Sequence, residues 1–194
     1  MPTAVFIKSA ARPADFPPDT GREVAFVGRS NSGKSTAVNV ITGARKLARV
    51  SKTPGRTQLL NFFSFGEERR LVDLPGYGFA RVAPDVQALW RRSLEAYLST
   101  RASLTGLVVT MDIRRGMTPL DDTLLRWLEP RDLPVGVLLT KADKLSRSAG
   151  LAQERALQKT VGAAVKLTRF SALTGDGVPE ALTWIEAWLS GAQK

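Results

Sequence analysis

Gly28-Arg29-Ser30-Asn31-Ser32-Gly33-Lys34-Ser35 spells G-x-x-x-x-G-K-S, the spacing of a phosphate-binding loop. The residue types follow from what a chain of phosphates requires. Two glycines let the backbone curl until successive N–H groups face inward as an anion-binding nest. Lys34 extends a flexible point charge toward β- and γ-phosphates, and Ser35 offers a hydroxyl to Mg2+. Upstream, residues 23–27 form a short apolar, β-prone run. Downstream, Ala37, Val38, Val40 and Ile41 recur with helical spacing, and Gly43 can end the helix. Strand, loop and helix in that order bring the helix's positive dipole end to the phosphates.

The 194 residues suit one compact α/β domain. A hydrophobic fraction of 43% is enough for a core. No apolar run approaches the length of a membrane span, and residues 1–10 lack the apolar stretch of a signal peptide, so a soluble, cytoplasmic protein is expected. The absence of Cys and His removes disulfides, zinc and every Ser-His or Cys-His mechanism. Chemistry must therefore run on Lys, Asp, Ser/Thr, backbone amides and a hard metal ion. The net charge of +10 points to a polyanionic partner, RNA or DNA, or else to a surface tuned for solubility.

Residues 4–8 read as a strand, and the proline-bearing segment 12–18 as an extended lead-in. Residues 1–20 are thus expected to pack as strand and lead-in on a single nucleotide-binding domain, 21–194. Residues 45–58 contain Arg45, Lys46, Arg49, Lys52 and Arg56, no acid, and a central Pro54-Gly55, which together predict a mobile basic loop. Residues 59–65 and 69–74 form a hairpin through Gly66-Glu67-Glu68. A helix over 84–99 carries Val86, Trp90, Leu94 and Tyr97 as its apolar stripe, followed by a buried strand at 104–111. Thr118-Pro119-Leu120-Asp121 resembles a capping box opening a helix with Leu120, Leu124, Leu125 and Trp127. Strands at 133–140 and 164–170 alternate with helices at 148–161 and 178–190, the last with Leu182, Ile185 and Leu189 on one face. This alternation predicts a mostly parallel mixed sheet flanked by helices on both faces, which together with the phosphate loop resembles the Ras-like G domain of the P-loop NTPases. Ligands of such folds bind at the carboxyl ends of the strands. The phosphate loop, Asp73, residues 140–143 and Ser171 all sit at such ends.

Asp73-Leu74-Pro75-Gly76 closes an apolar strand. In phosphate-loop enzymes a carboxylate here holds Mg2+, usually through water, and the glycine N–H faces the γ-phosphate. Thr140-Lys141-Ala142-Asp143 resembles the guanine-recognition pattern N-K-x-D. Guanine presents N1–H and a 2-amino group, a donor pair that one carboxylate accepts. Adenine would leave Asp143 unpaired, which discriminates by about 10⁴-fold. Lys141 would lay its methylene stem along the base. Thr140 replaces the commoner Asn and keeps a hydroxyl; a helix cap after the strand is the plainer alternative. Phe170-Ser171-Ala172 resembles the element whose backbone meets the guanine oxygen. Thr53 and Thr57 both lie in the basic loop as candidate magnesium ligands, and Thr57, directly before the strand, is the preferred one.

G-R-S-N-S-G-K-S, S-K-T-P-G-R-T-Q, D-L-P-G-Y-G, T-K-A-D and F-S-A together resemble the EngB (YihA/YsxC) family of bacterial ribosome-biogenesis GTPases, in the TrmE-Era-EngA-EngB-Septin-like translation-factor class. The resemblance spans nearly the whole chain, including Phe6-Ile7-Lys8-Ser9-Ala10 and Trp90. It implies GTP and GDP as ligands, the T-K-x-D variant as a family trait, and Thr57 as the magnesium threonine beside Ser35 and Asp73. It extends the nucleotide contacts to Gly55, Arg56, Gln58 and Leu59. By resemblance the protein acts in maturation of the large ribosomal subunit or its rRNA precursor, and the family is also associated with division septation. A monomer away from membranes is expected.

Hydrolysis would be in-line attack of water on the γ-phosphate, with Lys34, the loop amides and Mg2+ on Ser35 and Thr57 stabilising the transition state. Tyr77 occupies the place where Ras-like enzymes carry a water-orienting Gln. Slow intrinsic turnover follows. Asn31 has two readings of equal weight: a ligand for K+, as in related GTPases, or a loop-stabilising hydrogen bond. Two other functions compete with the switch. One is a basic RNA- or ribosome-binding module with little hydrolysis; the other is a P-loop kinase, for which no lid insertion is visible.

Overall fold

Strand β2 (Arg22–Gly28), the run that leads into the phosphate loop, is central in a seven-stranded sheet of order β1-β3-β4-β2-β5-β6-β7. The computed structural model describes residues 4–44, 47, 59–77 and 84–191, the side chains of 84–91 excepted. The other strands are β1 (Val5–Ala10), β3 (Leu60–Ser64), β4 (Arg69–Asp73), β5 (Leu104–Asp112), β6 (Val135–Thr140) and β7 (Lys166–Arg169). Strand β2 runs parallel to β4 and β5, and β6 and β7 continue parallel beyond β5. The hairpin strand β3 is antiparallel to both β4 and β1, so the sheet is mixed but mostly parallel. Strand β6 starts at Val135 rather than 133 because Pro134 has no N–H for the ladder. Strand β5 extends to Asp112, which pairs in register with Thr140.

The period-2 alternation of the central strands sorts their side chains onto two faces. Ala25, Val27, Leu107, Val109, Val137 and Leu139 join the core under α2 (Pro84–Thr100), α3 (Pro119–Leu128) and α4 (Arg147–Val161). Val24, Phe26, Val108 and Leu138 face α1 (Lys34–Ile41) and α5 (Val178–Ser190). Helix α5 lies close on the sheet because Gly106 leaves room for Trp188: a Cβ there would come within 2.3 Å of the indole. Ile185 and Leu189 of α5 are buried, as their spacing predicts, and so are Leu94 and Tyr97 of α2. The side chains of Val86 and Trp90 lie outside the described residues. Thr118 and Asp121 form the expected capping box of α3. Leu120 is an apolar residue that α3 does not bury. It sits in the first turn and is 48% exposed, while Asp121 is the buried neighbour. Among the described residues, no helix is long and apolar enough to cross a membrane.

Glu23 interrupts an otherwise apolar strand, and its side chain is fully buried. Arg70 Nε donates to one carboxylate oxygen at 2.7 Å. Arg101 Nη2 reaches the same oxygen at 2.7 Å and its Nε reaches the other at 3.0 Å. The Tyr97 hydroxyl, buried and with its pKa pushed well up by burial and then by the carboxylate, donates at 2.8 Å. The same arginines hold the lead-in: Arg101 donates to the carbonyls of Pro17 and Pro18, and Arg70 to those of Pro18 and Thr20. Asp19 accepts from the amides of Ala102 and Ser103, which together with the Ser103 side chain and Arg101 lower its pKa against the effect of burial. Phe16 stacks edge-on against Tyr97. Removing one partner of a buried ion pair leaves uncompensated charge. Glu23→Ala is therefore expected to lower unfolding free energy by about 3–5 kcal/mol, read as the shift of a urea midpoint, and Glu23→Gln by clearly less.

Candidate functional site

The turn from β2 into α1 holds its shape through two glycines and two flanking strands. A Cβ on Gly28 would fall 2.1 Å from Thr110 Oγ1 and 2.6 Å from Ser32 Oγ, so only glycine fits. Ser32 and Thr110 bond side chain to side chain at 2.6 Å across the gap this leaves. Gly33 takes φ 87 at the N-cap of α1, a left-handed conformation that favours glycine. The amides that follow then point outward from the start of the helix, with Lys34 and Ser35 as its first two residues.

Lys34 and Asp73 approach one another directly, the ammonium bonded to the carboxylate, both mostly buried. The loop therefore faces the end of β4, as the Mg2+ and phosphate reading requires. Leu74 and Pro75 are buried behind Asp73. Tyr77 clips this segment to the phosphate loop: its N–H donates to the Gly28 carbonyl at 3.1 Å and its carbonyl accepts from the Ser30 N–H at 3.0 Å. Its hydroxyl donates to Asp121 Oδ1 at 2.5 Å, in the cap of α3. Burial first, and then Asp121, raise the Tyr77 pKa far out of reach, so the ring stays neutral and fully engaged. A side chain so fixed has no access to a hydrolytic water.

Residues 140–143 gather at the adjacent strand end. The Thr140 hydroxyl donates to the Ser32 carbonyl at 2.5 Å, with the Met111 carbonyl at 3.0 Å. Thr140 thus works as a brace between β6 and the phosphate loop, a role its hydroxyl fills without an amide. Lys141, at φ 59, stretches across the site to donate to the Asn31 carbonyl at 2.8 Å and to Asp112 Oδ2 at 2.9 Å. Asp143 is mostly covered, held by the Ser171 hydroxyl at 2.8 Å and by Lys144 at 3.2 Å. These two contacts, Ser171 first, lower its pKa, so the carboxylate is ionised and ready to accept a donor pair. Ser171 is itself buried, and its oxygen accepts from the amides of Leu173 and Thr174. The Phe170 carbonyl accepts from the Ala142 N–H at 3.1 Å, tying the two loops together, and Ala172 follows at the exposed rim.

Asn31 adopts φ 64 on the exposed side of the loop. Its side-chain amide has no partner among the described residues. Gly55, Arg56, Thr57 and Gln58, with Thr53 and the cations of the basic loop, lie outside the described residues. Leu59, directly before β3, is half-buried.

Two site residues escape sequence reading. Asp112 ends β5 at the same edge as Asp73 and Thr140, and is gripped by Arg114 through Nε at 2.9 Å and Nη2 at 2.6 Å. Arg114, and then Lys141, hold its carboxyl well below the usual carboxylate range. Its signal was available: a carboxylate directly after an apolar strand. Thr110, hidden in an apolar run, had no such signal.

The family profile described as 50S ribosome-binding GTPase matches residues 23–141. A probable GTP-binding protein EngB from Coxiella burnetii is 45% identical over 190 residues, covering 96% of this chain and 93% of that protein. A crystal structure of a probable GTP-binding protein engB superposes with a TM-score of 0.70 at 23% identity, covering 87% of this chain and 99% of the other. Era, solved with MgGDPNP and a segment of 16S ribosomal RNA, has a TM-score of 0.67 at 23% identity over 87% of this chain and 57% of its own. With a phosphate loop facing Asp73 and an ionised Asp143 at the next strand end, the chain belongs to the EngB family of GTP-binding proteins, among the ribosome-binding GTPases.

Proposed function

We propose that this GTPase is a slow, nucleotide-controlled switch acting on the large ribosomal subunit or its rRNA precursor. The observation that carries the reading is the bracing of the guanine-reading loop to the phosphate loop through Thr140 and Lys141. Asp143 accepts guanine N1–H and the 2-amino group, and Ser171 fixes its orientation. Lys34 leaves Asp73 for the phosphates and neutralises charge on the γ-phosphoryl group as it transfers.

No three acidic side chains gather among the described residues. A hard cation here would take oxygen from Ser35 and, through water, Asp73, with phosphate and water as further ligands, which is the habit of Mg2+ at phosphate sites. Thr57 completes that set in the family resemblance. When bound, Mg2+ offsets negative charge on the phosphate oxygens.

Tyr77 offers no help to the attacking water, so turnover of the chain alone is slow. The Asn31 side-chain amide, unpartnered among the described residues, suits a K+ ligand beside the phosphates better than a loop brace. The description of the family profile, with the charge of +10, supports RNA of the large subunit as the partner and the basic residues 45–58 as the nucleotide-sensitive contact.

Three measurements test these points. Asp143→Asn should weaken GTP binding by about 100-fold or more and favour xanthosine triphosphate, because the amide matches xanthine's inverted pattern; unchanged base preference would remove the guanine assignment. GTP turnover should rise by about tenfold or more when K+ replaces Na+, through added positive charge at the phosphates; equal rates would return Asn31 to a structural role. In sedimentation with large ribosomal subunits, more protein should co-migrate with a non-hydrolysable GTP analogue than with GDP, whereas equal binding would favour the plain RNA-binding module.

A further inference from the structure

Residues 144–170 hold Lys144, Arg147, Arg155, Lys159, Lys166 and Arg169 against one acid, Glu154. The structure withdraws that acid from the surface balance, since Glu154 accepts from Arg169 Nε at 3.0 Å. Arg147, Arg155, Lys159 and Lys166 are exposed and have no partner among the described residues. Helix α4 is a rigid carrier for them: Ser146 caps it, Leu157 is buried, and Gly150 packs on Arg169. Arg155 and Lys159 are one turn apart on the outer face. Arg147 to Lys159 spans about 18 Å along the helix axis, a length over which a duplex presents on the order of ten phosphates.

Resting on the ribosomal reading above, we infer that α4 and the start of β7 form an RNA-backbone docking face that works in every nucleotide state. A protein partner would need apolar or aromatic anchors in a desolvated centre. The exposed large apolar side chains among the described residues are Val5, Phe6, Ile7, Leu120 and Leu173, and none is on α4 or β7. The exposed alanines of α4, Ala149, Ala152 and Ala156, are too small to hold a phosphate backbone away. Charge without apolar anchors matches phosphates, whose contacts position a protein without reading sequence. The face lies on elements separate from the phosphate loop, so its contribution is constant and the basic loop adds the state-dependent part.

The test uses the full chain carrying Arg155→Glu and Lys159→Glu, beside the milder Arg155→Ala, Lys159→Ala pair. Both pairs should keep native GDP affinity and GTP turnover, because neither residue touches the nucleotide site. Binding to in-vitro-transcribed large-subunit rRNA and to large subunits is measured over a KCl series, with GDP and with a non-hydrolysable GTP analogue. Affinity should fall by about tenfold for the charge reversal, and the slope of log Kd against log salt should shrink by about 1.4–1.8 for two lost phosphate contacts, with either nucleotide. Native affinity and slope in both variants would overturn the docking face while leaving the switch intact. If the unsubstituted chain binds neither RNA nor subunits, the ribosomal reading fails and this face with it. Loss of binding to phosphatidylglycerol vesicles with rRNA binding unchanged would overturn it in favour of a lipid surface.

Discussion

The register of β2 between β4 and β5 is the constraint on which the site depends. Phe26 pairs with Asp73, and Gly28 with Thr110, so one strand delivers the phosphate loop opposite the carboxylate and the hydroxyl that complete it. A slip by one residue would exchange the two faces of the sheet, sending Phe26 to the side of Tyr97 and Asp73 away from Lys34. Close fit enforces the register. Gly28 has no room for a methyl group, and Tyr77 closes the loop's entrance with two backbone hydrogen bonds. Thr140 then sets β6 against the same loop, so three parallel strands share one reference point.

Much of this was legible because the relevant residues are local in sequence. Glycines, lysine and serine at fixed offsets define the loop, Asp73 and Thr140 close apolar strands, and Asp143 and Ser171 lie within three residues of a strand end. The unreadable parts depend on residues distant in the chain. Glu23 looked like a member of an apolar run because its compensating charges come from Arg70 and Arg101, 47 and 78 positions away. Leu120 reads only as an apolar residue of its helix, and its exposure follows from the first turn, where Thr118 and Asp121 turn inward to cap and leave their neighbour outside. Tyr77 could be read as lacking the chemistry of glutamine, but not as a bolt between the phosphate loop and α3. That role needs Asp121, whose position is a tertiary fact.

Two groups of cations among the described residues have different physical fates. Arg70, Arg101 and Arg169 are taken up by carboxylates of this chain, and Arg114, though exposed, is paired with the buried Asp112. They contribute to the formal charge and little to the external field. Arg147, Arg155, Lys159 and Lys166 meet solvent with no partner among the described residues. Net charge alone therefore overstates how evenly basic the surface is, and the field is directional.

The anchoring of the lead-in has a consequence for how the chain is made. Strand β1 has β3 as its sheet partner, and Pro17 is held by Arg101, 84 residues further on. During synthesis β1 finds its sheet partner only once β3 is present, and Pro17 its holder only once Arg101 has been added. Parallel strands close large loops before they gain their ladders, and such topologies assemble slowly. The exposed Val5, Phe6 and Ile7 meanwhile lie beside an open edge, where a nascent chain is prone to stray pairing. The irregularity between Phe6 and Lys8, which breaks the regular ladder of β1, is placed where it guards that edge once the strand has docked.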